Sequence, residues 1–260
     1  MTIAIIGTGN MGSAIMRGLI KSGTCKPEEI VCTAKTEATL NKVRAYEGNI
    51  RTSHDNAEAA READIVILAV KPWLVDEVME EIRPALDRQL LVSVAAGITL
   101  GDLAQLAGRK EGIPLFRVVP NTAAEVLCGV TFIAHQGATE EQTKLIYRLF
   151  ASLGYALTVD EKLIPAGTAL ASCGIAFAMR YIRAAMEGGV ELGFRPEEAA
   201  RIVEHTVKGA ATMLLNSGTH PEAEIDRVTT AGGITIKGLN AMEHAGFTAA
   251  VIDGLKASNL

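Results

Sequence analysis

What this chain lacks narrows its function before any motif is found. Among its 260 residues no run of like charges stands out, and the net charge is −5. A nucleic-acid binder needs a basic stripe, and none is present. The four cysteines, Cys25, Cys32, Cys128 and Cys173, are scattered with no C-x-x-C pair. That pattern offers neither a zinc site nor a disulfide framework, and it suits a reducing, cytoplasmic compartment. No basic segment precedes an apolar core at the N-terminus, so no secretory signal is expected. The longest uncharged stretch, Leu163 to Met179, contains Pro165, Gly167 and Gly174. It reads as a buried helix and its approach, not as a membrane span. Disorder is excluded as the main state by a hydrophobic content of 48%. The length fits one large domain or two small ones.

What is present begins at once. Ile3 to Ile6 is a short apolar run, followed by Gly7-Thr8-Gly9-Asn10-Met11-Gly12 and a helical pattern from Ser13 to Lys21. Strand, glycine turn and helix start in this order form the G-x-G-x-x-G fingerprint of a dinucleotide-binding unit. Gly7 permits the tight turn, Gly9 lets backbone approach a pyrophosphate, and Gly12 lets helix and strand pack closely. The phosphates would lie on the free N–H groups and positive dipole end of the helix starting near Asn10.

A second strand ends in Ala34-Lys35-Thr36. An NAD-binding unit places a carboxylate here to hold the ribose 2′-hydroxyl. A lysine and a hydroxyl favour NADPH instead, with NADH the other coenzyme the unit admits. Thr36 also reads as the N-cap of a helix reaching towards Tyr46. Asp64 to Val70 is an almost unbroken apolar run, as expected of a strand covered on both faces, and Lys71-Pro72 ends it. Further strands are expected at Leu90–Val94, Phe116–Val119, Thr131–Ala134 and Tyr155–Val159, with helices at Leu74–Ile82 and Glu140–Ser152. Alternating strands and helices imply an α/β fold with a mostly parallel sheet, whose ligands lie beyond the carboxyl ends of the strands. Ala69, Val70, Lys71 and Pro72, then Ala95, Ala96 and Gly97, then Pro120, Asn121 and Thr122 are the expected cleft lining.

After Glu161 strand signals vanish. A dinucleotide-binding domain over 1–160 and an all-α domain over 161–260 are expected. Ala169 to Leu192 reads as one helix, with Ile175, Met179, Ile182, Met186 and Val190 on one stripe and an Arg183–Glu187 pair beside it. It is apolar or small over most of its surface, so it is expected to pack against a second chain. Further helices are expected from Pro196 to about Leu215, from Pro221, and from Thr235 to the end. Between them, Thr229 to Lys237 contains Ala231-Gly232-Gly233 after two threonines. Successive N–H groups there make a possible anion nest; taken alone, it reads as a glycine turn with Thr235 as N-cap. The five histidines, His54, His135, His205, His220 and His244, fall in no motif and read as structural or surface residues.

Ile5 to Gly12, Ala69-Val70-Lys71-Pro72, Ala95-Ala96-Gly97, Pro120-Asn121-Thr122 and Ala231 to Ile236 occur in an order and spacing that resembles the pyrroline-5-carboxylate reductases. The resemblance covers essentially the whole chain. It implies a Rossmann-type N-terminal domain, helices interlocked in a homodimer, and dimers able to assemble into decamers. It also implies reduction of the cyclic imine 1-pyrroline-5-carboxylate to L-proline with NAD(P)H and no metal. By motif, Thr230, Ala231, Gly232, Gly233, Ile234 and Thr235 would hold the substrate carboxylate, and the Thr235 hydroxyl would meet the ring nitrogen. Asn56 would contact the cofactor ribose or its phosphate, and Glu161 the cofactor region. Two departures stand out. Ala171 to Phe177 replaces S-G-S-G-P-A-Y, and Thr230 to Thr235 replaces S-P-G-G-T-T. They leave open a reductase of a related cyclic imine, or an NADPH-binding protein without turnover. A β-hydroxyacid dehydrogenase is disfavoured, because no lysine lies between Leu163 and Met179.

Overall fold

The computed structural model describes residues 1–108 and 112–259. Two compact units are found, Met1–Ser172 and Cys173–Leu260.

The first unit is built on an eight-stranded sheet. Its strands are β1 (Ile3–Ile6), β2 (Ile30–Thr33), β3 (Arg51–Ser53), β4 (Ile65–Leu68), β5 (Leu90–Ser93), β6 (Leu115–Pro120), β7 (Gly129–Gln136) and β8 (Gly154–Thr158). The order is β3-β2-β1-β4-β5-β6-β7-β8, and every neighbouring pair is parallel except β6 with β7. The first six strands follow the doubly wound order, with its reversal point between β1 and β4. Six helices pack on this sheet: α1 (Asn10–Lys21), α2 (Glu37–Tyr46), α3 (Asn56–Glu62), α4 (Val75–Ile82), α5 (Leu100–Ala107) and α6 (Glu140–Ala151).

Period-two alternation sends each strand's side chains to two cores. Ile3, Ile5, Ile65, Ile67, Val92 and Phe116 meet α1, α2 and α6 through Ile15, Leu19, Val43 and Phe150. Ala4, Ile6, Val66, Leu68 and Leu91 meet α3, α4 and α5 through Ala60, Met79, Ile82 and Leu103. A strand with both faces covered has no polar face, which is why β1 and β4 are continuous apolar runs. The edge strand β3 has the sequence Arg-Thr-Ser and no such run.

A short helix α7 (Ile164–Gly167) and a π-helical segment, Thr168–Cys173, lead into the second unit. There α8 (Gly174–Glu191), α9 (Pro196–Ser217), α10 (Pro221–Arg227), α11 (Ile234–His244) and α12 (Phe247–Ala257) follow. Pro196 stands at the first helical position of α9, and Gly193, with φ +105°, turns the chain after α8. Arg183 and Glu187 pair at 2.9 Å as their spacing predicts. One expectation needs correction. Burial is confined to the approach, at Ile164, Gly167 and Ala169, while α8 itself has no buried residue in this chain. By length and composition alone Glu161–Glu191 would suffice to cross a membrane.

Candidate functional site

The carboxyl ends of β1 and β4 open into a cleft of ≈ 500 Å³. Its wall holds Gly7 to Met11, Ala34 to Thr36, Ala69 to Pro72, and Ala95 and Ala96. A smaller recess of ≈ 210 Å³ continues from it past Gly7, Lys35, Val70 and Leu74 to His54 and Asn56. Thus the four separated stretches expected to meet at a coenzyme do meet.

The glycines differ in what surrounds them. Gly7 has φ +92°, and a Cβ there would stand 2.6 Å from Val70 Cγ1. A Cβ on Gly12 would collide with the Gly7 carbonyl oxygen. Gly9, the N-cap of α1, has nothing within 4 Å of its Cβ direction, and no side chain caps the helix. No side chain takes the first N–H groups of α1, and Gly9, Asn10 and Met11 line the cleft, which is what a pyrophosphate requires. The residues fit a dinucleotide.

Thr33, fully buried at the end of β2, fixes the loop. Its carbonyl accepts from Gly7 N at 3.1 Å, Thr8 N at 2.9 Å and Thr8 Oγ1 at 2.8 Å. Its own hydroxyl donates to Asn56 Oδ1 at 2.6 Å. Asn56, the first residue of α3, also donates from Nδ2 to Glu81 at 2.8 Å. The sequence signal for Thr33 is slight: one hydroxyl at the end of an apolar strand. Thr36 is the N-cap of α2, but its hydroxyl meets Thr39 Oγ1 at 2.9 Å instead of a backbone N–H. Lys35 is exposed and has no carboxylate partner among the described residues.

Pro120, buried at the end of β6, is not part of the wall, and three further expected contacts stand elsewhere. Asn121 is 4% exposed and absent from the cleft wall. Its Oδ1 accepts from Ala123 N and Val130 N, and its Nδ2 donates to the Ala171 carbonyl, each at 3.2 Å. It supports the wall from behind, while its neighbour Thr122 lines the cleft. Gly97, with φ +79°, turns the chain just past Ala96 and is not part of the wall either. Glu161 accepts from Arg117 at 2.9 Å and from Leu100 N at 2.8 Å, tying β6 to the start of α5.

In the second unit, Thr230 to Gly233 closes a turn in which Gly233 N donates to the Thr230 carbonyl at 2.9 Å. Gly232 has φ +70°. The N-cap of α11 is Gly233, not Thr235, and no side chain caps it. Thr235 is the second helical residue, exposed, and its hydroxyl has no hydrogen bond among the described residues. Ile234 is 87% exposed. The free N–H groups at this helix start suit a carboxylate.

No cluster of three metal-ligating side chains occurs among the described residues. Burial pushes the Cys32 thiol up to about 12 and the Cys25 thiol up to about 11, so neither is a thiolate at neutral pH.

Comparison with known proteins adds independent findings. Residues 161–259 match the family described as pyrroline-5-carboxylate reductase dimerisation. Residues 2–97 match the family described as NADP oxidoreductase, coenzyme F420-dependent. Pyrroline-5-carboxylate reductase 2 of Dictyostelium discoideum is 38% identical, over 98% of this chain and 90% of its own length. Pyrroline-5-carboxylate reductase 1 of the same organism is 37% identical over 99% of this chain, which spans 48% of that longer relative. Among solved structures, the Plasmodium falciparum pyrroline carboxylate reductase with NADP bound superposes with a TM-score of 0.89. It is 27% identical, with 99% of this chain and 95% of that one covered.

Proposed function

This chain belongs to the pyrroline-5-carboxylate reductase family, and on that premise we propose that it reduces 1-pyrroline-5-carboxylate to L-proline with NAD(P)H. The observation that carries the reading is the uncapped start of α1, on the wall of a cleft that gathers the ends of β1, β2, β4 and β5. A reduced nicotinamide, when bound, supplies the hydride for the carbon of the C=N bond. The chain's own residues bind, orient and exclude water.

The division of labour is as follows. Gly7 to Gly12 hold the pyrophosphate, and Lys35 and Thr36 hold a 2′-phosphate. Asn56 braces the ribose end. Ala69 to Pro72 with Ala95 and Ala96 offer a flat apolar seat for the ring. Thr230 to Thr235 of the partner hold the substrate carboxylate on backbone N–H groups, and the Thr235 hydroxyl orients the ring nitrogen. An iminium nitrogen already bears its proton, so a hydroxyl need only position it. Product formation adds one hydride at carbon and leaves that proton on nitrogen.

We place the dinucleotide-binding domain at 1–160 and the helical dimerisation and substrate domain at 161–260, so that the approach to α8, which belongs to the first compact unit, counts with the helical domain. The family match that begins at residue 161 supports this boundary. The exposed apolar face of α8 lies within that match, and we assign it to a second copy of the chain, not to lipid. On the same reading, dimers are the units of a decamer. The free cysteines suit the cytoplasm.

The departures at Ile175 and Phe177 favour testing other imines beside the first. Turnover should be followed as loss of NADPH absorbance with pyrroline-5-carboxylate, piperideine-6-carboxylate and a pyrroline-2-carboxylate. Fast reduction of the first alone is expected. A Thr235→Ala chain should bind NADPH as the parent does while turning over about a hundredfold more slowly. Equal turnover by both would remove Thr235 from the reaction. NADPH binding without reduction of any imine would leave a dinucleotide-binding protein.

A further inference from the structure

One side chain at the adenosine end of the cleft belongs to no motif. His54 follows β3 and lines the recess beside Lys35. Its Nδ1 is 2.8 Å from the Ala34 carbonyl oxygen and its Nε2 is 3.0 Å from Glu37 Oε2. Both neighbours accept hydrogen bonds. The Arg44 guanidinium, and after it His54, hold the Glu37 carboxyl below its ordinary range, so Glu37 is an acceptor only. A neutral imidazole has one N–H and serves one of these contacts. The ring is held at both nitrogens, between the Lys35 loop and Glu37.

The placement bears on the coenzyme. Ala34 immediately precedes Lys35, and Glu37 immediately follows Thr36. A bare carboxylate at Glu37 would repel a phosphate held by Lys35 and Thr36, and would suit a plain ribose. Here Glu37 is covered from two sides, by Arg44 at 2.6 Å and by His54. The opposite wall of the recess carries Glu77 and Glu81 on α4. Glu81 is engaged by Asn56. These two carboxylates disfavour a phosphate beside α4. Asp55, beside His54, is committed to Glu58 N as the cap of α3.

We propose that His54 sets the coenzyme preference of this cleft: its ring, held at both nitrogens, fixes the Lys35 loop at Ala34 and covers the Glu37 carboxylate, admitting a 2′-phosphate. It is a positioning residue, acting through Lys35 and Glu37. The inference rests on the dinucleotide reading of the cleft and not on the identity of the imine.

The test is direct binding of NADPH and NADH, by fluorescence titration, to the full chain and to His54→Gln and His54→Gln/Glu37→Gln variants. His54 is exposed, so these changes leave the core intact. The His54→Gln chain should bind NADPH roughly fivefold more weakly, with NADH affinity unchanged. Adding Glu37→Gln should restore NADPH binding, because no charge is left to mask. The inference is overturned by unchanged NADPH affinity in His54→Gln, by an equal loss for NADH, or by failure of the second change to restore binding. Absence of NADPH binding by the parent chain would instead overturn the dinucleotide reading itself.

Discussion

The two units solve the burial problem in opposite ways. Residues 1–172 enclose their sheet between helices, and Ile3, Ile5, Ile6, Ile65, Ile67 and Phe116 are all 0% exposed. From residue 173 to residue 259 only Ala199 and Glu224 are buried. Over the same stretch Met179, Tyr181, Val190, Leu192, Phe194, Ile202, Met213 and Val251 are all exposed. A unit with so much apolar surface and so little core is half of a structure. Its helices are set by local signals, namely Pro196, Gly193 and the α8 periodicity, and not by a core of its own.

The largest effect expected from this difference is on association. Met179→Glu places a charge on the α8 stripe, on a residue 63% exposed in the single chain. Burying that charge against a second copy costs several kcal/mol. Sedimentation should show monomers, and melting of the helical unit should lose its dependence on protein concentration. Trp73→Glu, at a site 76% exposed in the first unit, should leave the dimer intact. If Met179→Glu still associates as the parent does, the helical unit is not completed through α8.

The first unit can be probed inside one loop. Gly12→Ala sets a methyl group against the Gly7 carbonyl, a backbone atom that cannot swing away. It should cost about 1–3 kcal/mol of stability and weaken NADPH binding with it. Gly9→Ala meets no protein atom within 4 Å. It should leave the melting temperature nearly unchanged and weaken NADPH roughly tenfold, about 1.4 kcal/mol. If both variants lose stability equally, Gly9 is a structural glycine and not a place kept clear for phosphate.

How much of this was legible in the sequence follows the same division. β1 and β4 are visible because burial on both faces leaves only apolar residues. β3 and α3 are not, because an edge Arg-Thr-Ser and the run Asn-Ala-Glu-Ala-Ala-Arg-Glu carry no comparable pattern. The glycine loop is legible because backbone sterics demand glycine. The direction of a side chain is not. Asn121 sits in a recognisable motif yet turns inward to the Ala171 carbonyl, inside the π-helical segment. An outside donor taking a helix carbonyl is one way such a segment departs from regular α geometry. His54 was invisible because its meaning depends on Ala34 and Glu37, 20 and 17 residues away.

The smallest expected effect compares one ion pair in each unit. Arg117 and Glu161 are 11% and 31% exposed, and Glu161 also receives Leu100 N, so removing Arg117 disturbs a half-enclosed carboxylate. Arg183 and Glu187 lie one turn apart on α8 and are each 63% exposed. Water screens that pair, and an exposed pair of this spacing contributes about 0.3–0.5 kcal/mol. Arg183→Ala should therefore shift the melting temperature by no more than about one degree in the dimer. A larger loss would mean that the second copy covers this pair too, and that the apolar stripe and the charged stripe of α8 face the same neighbour.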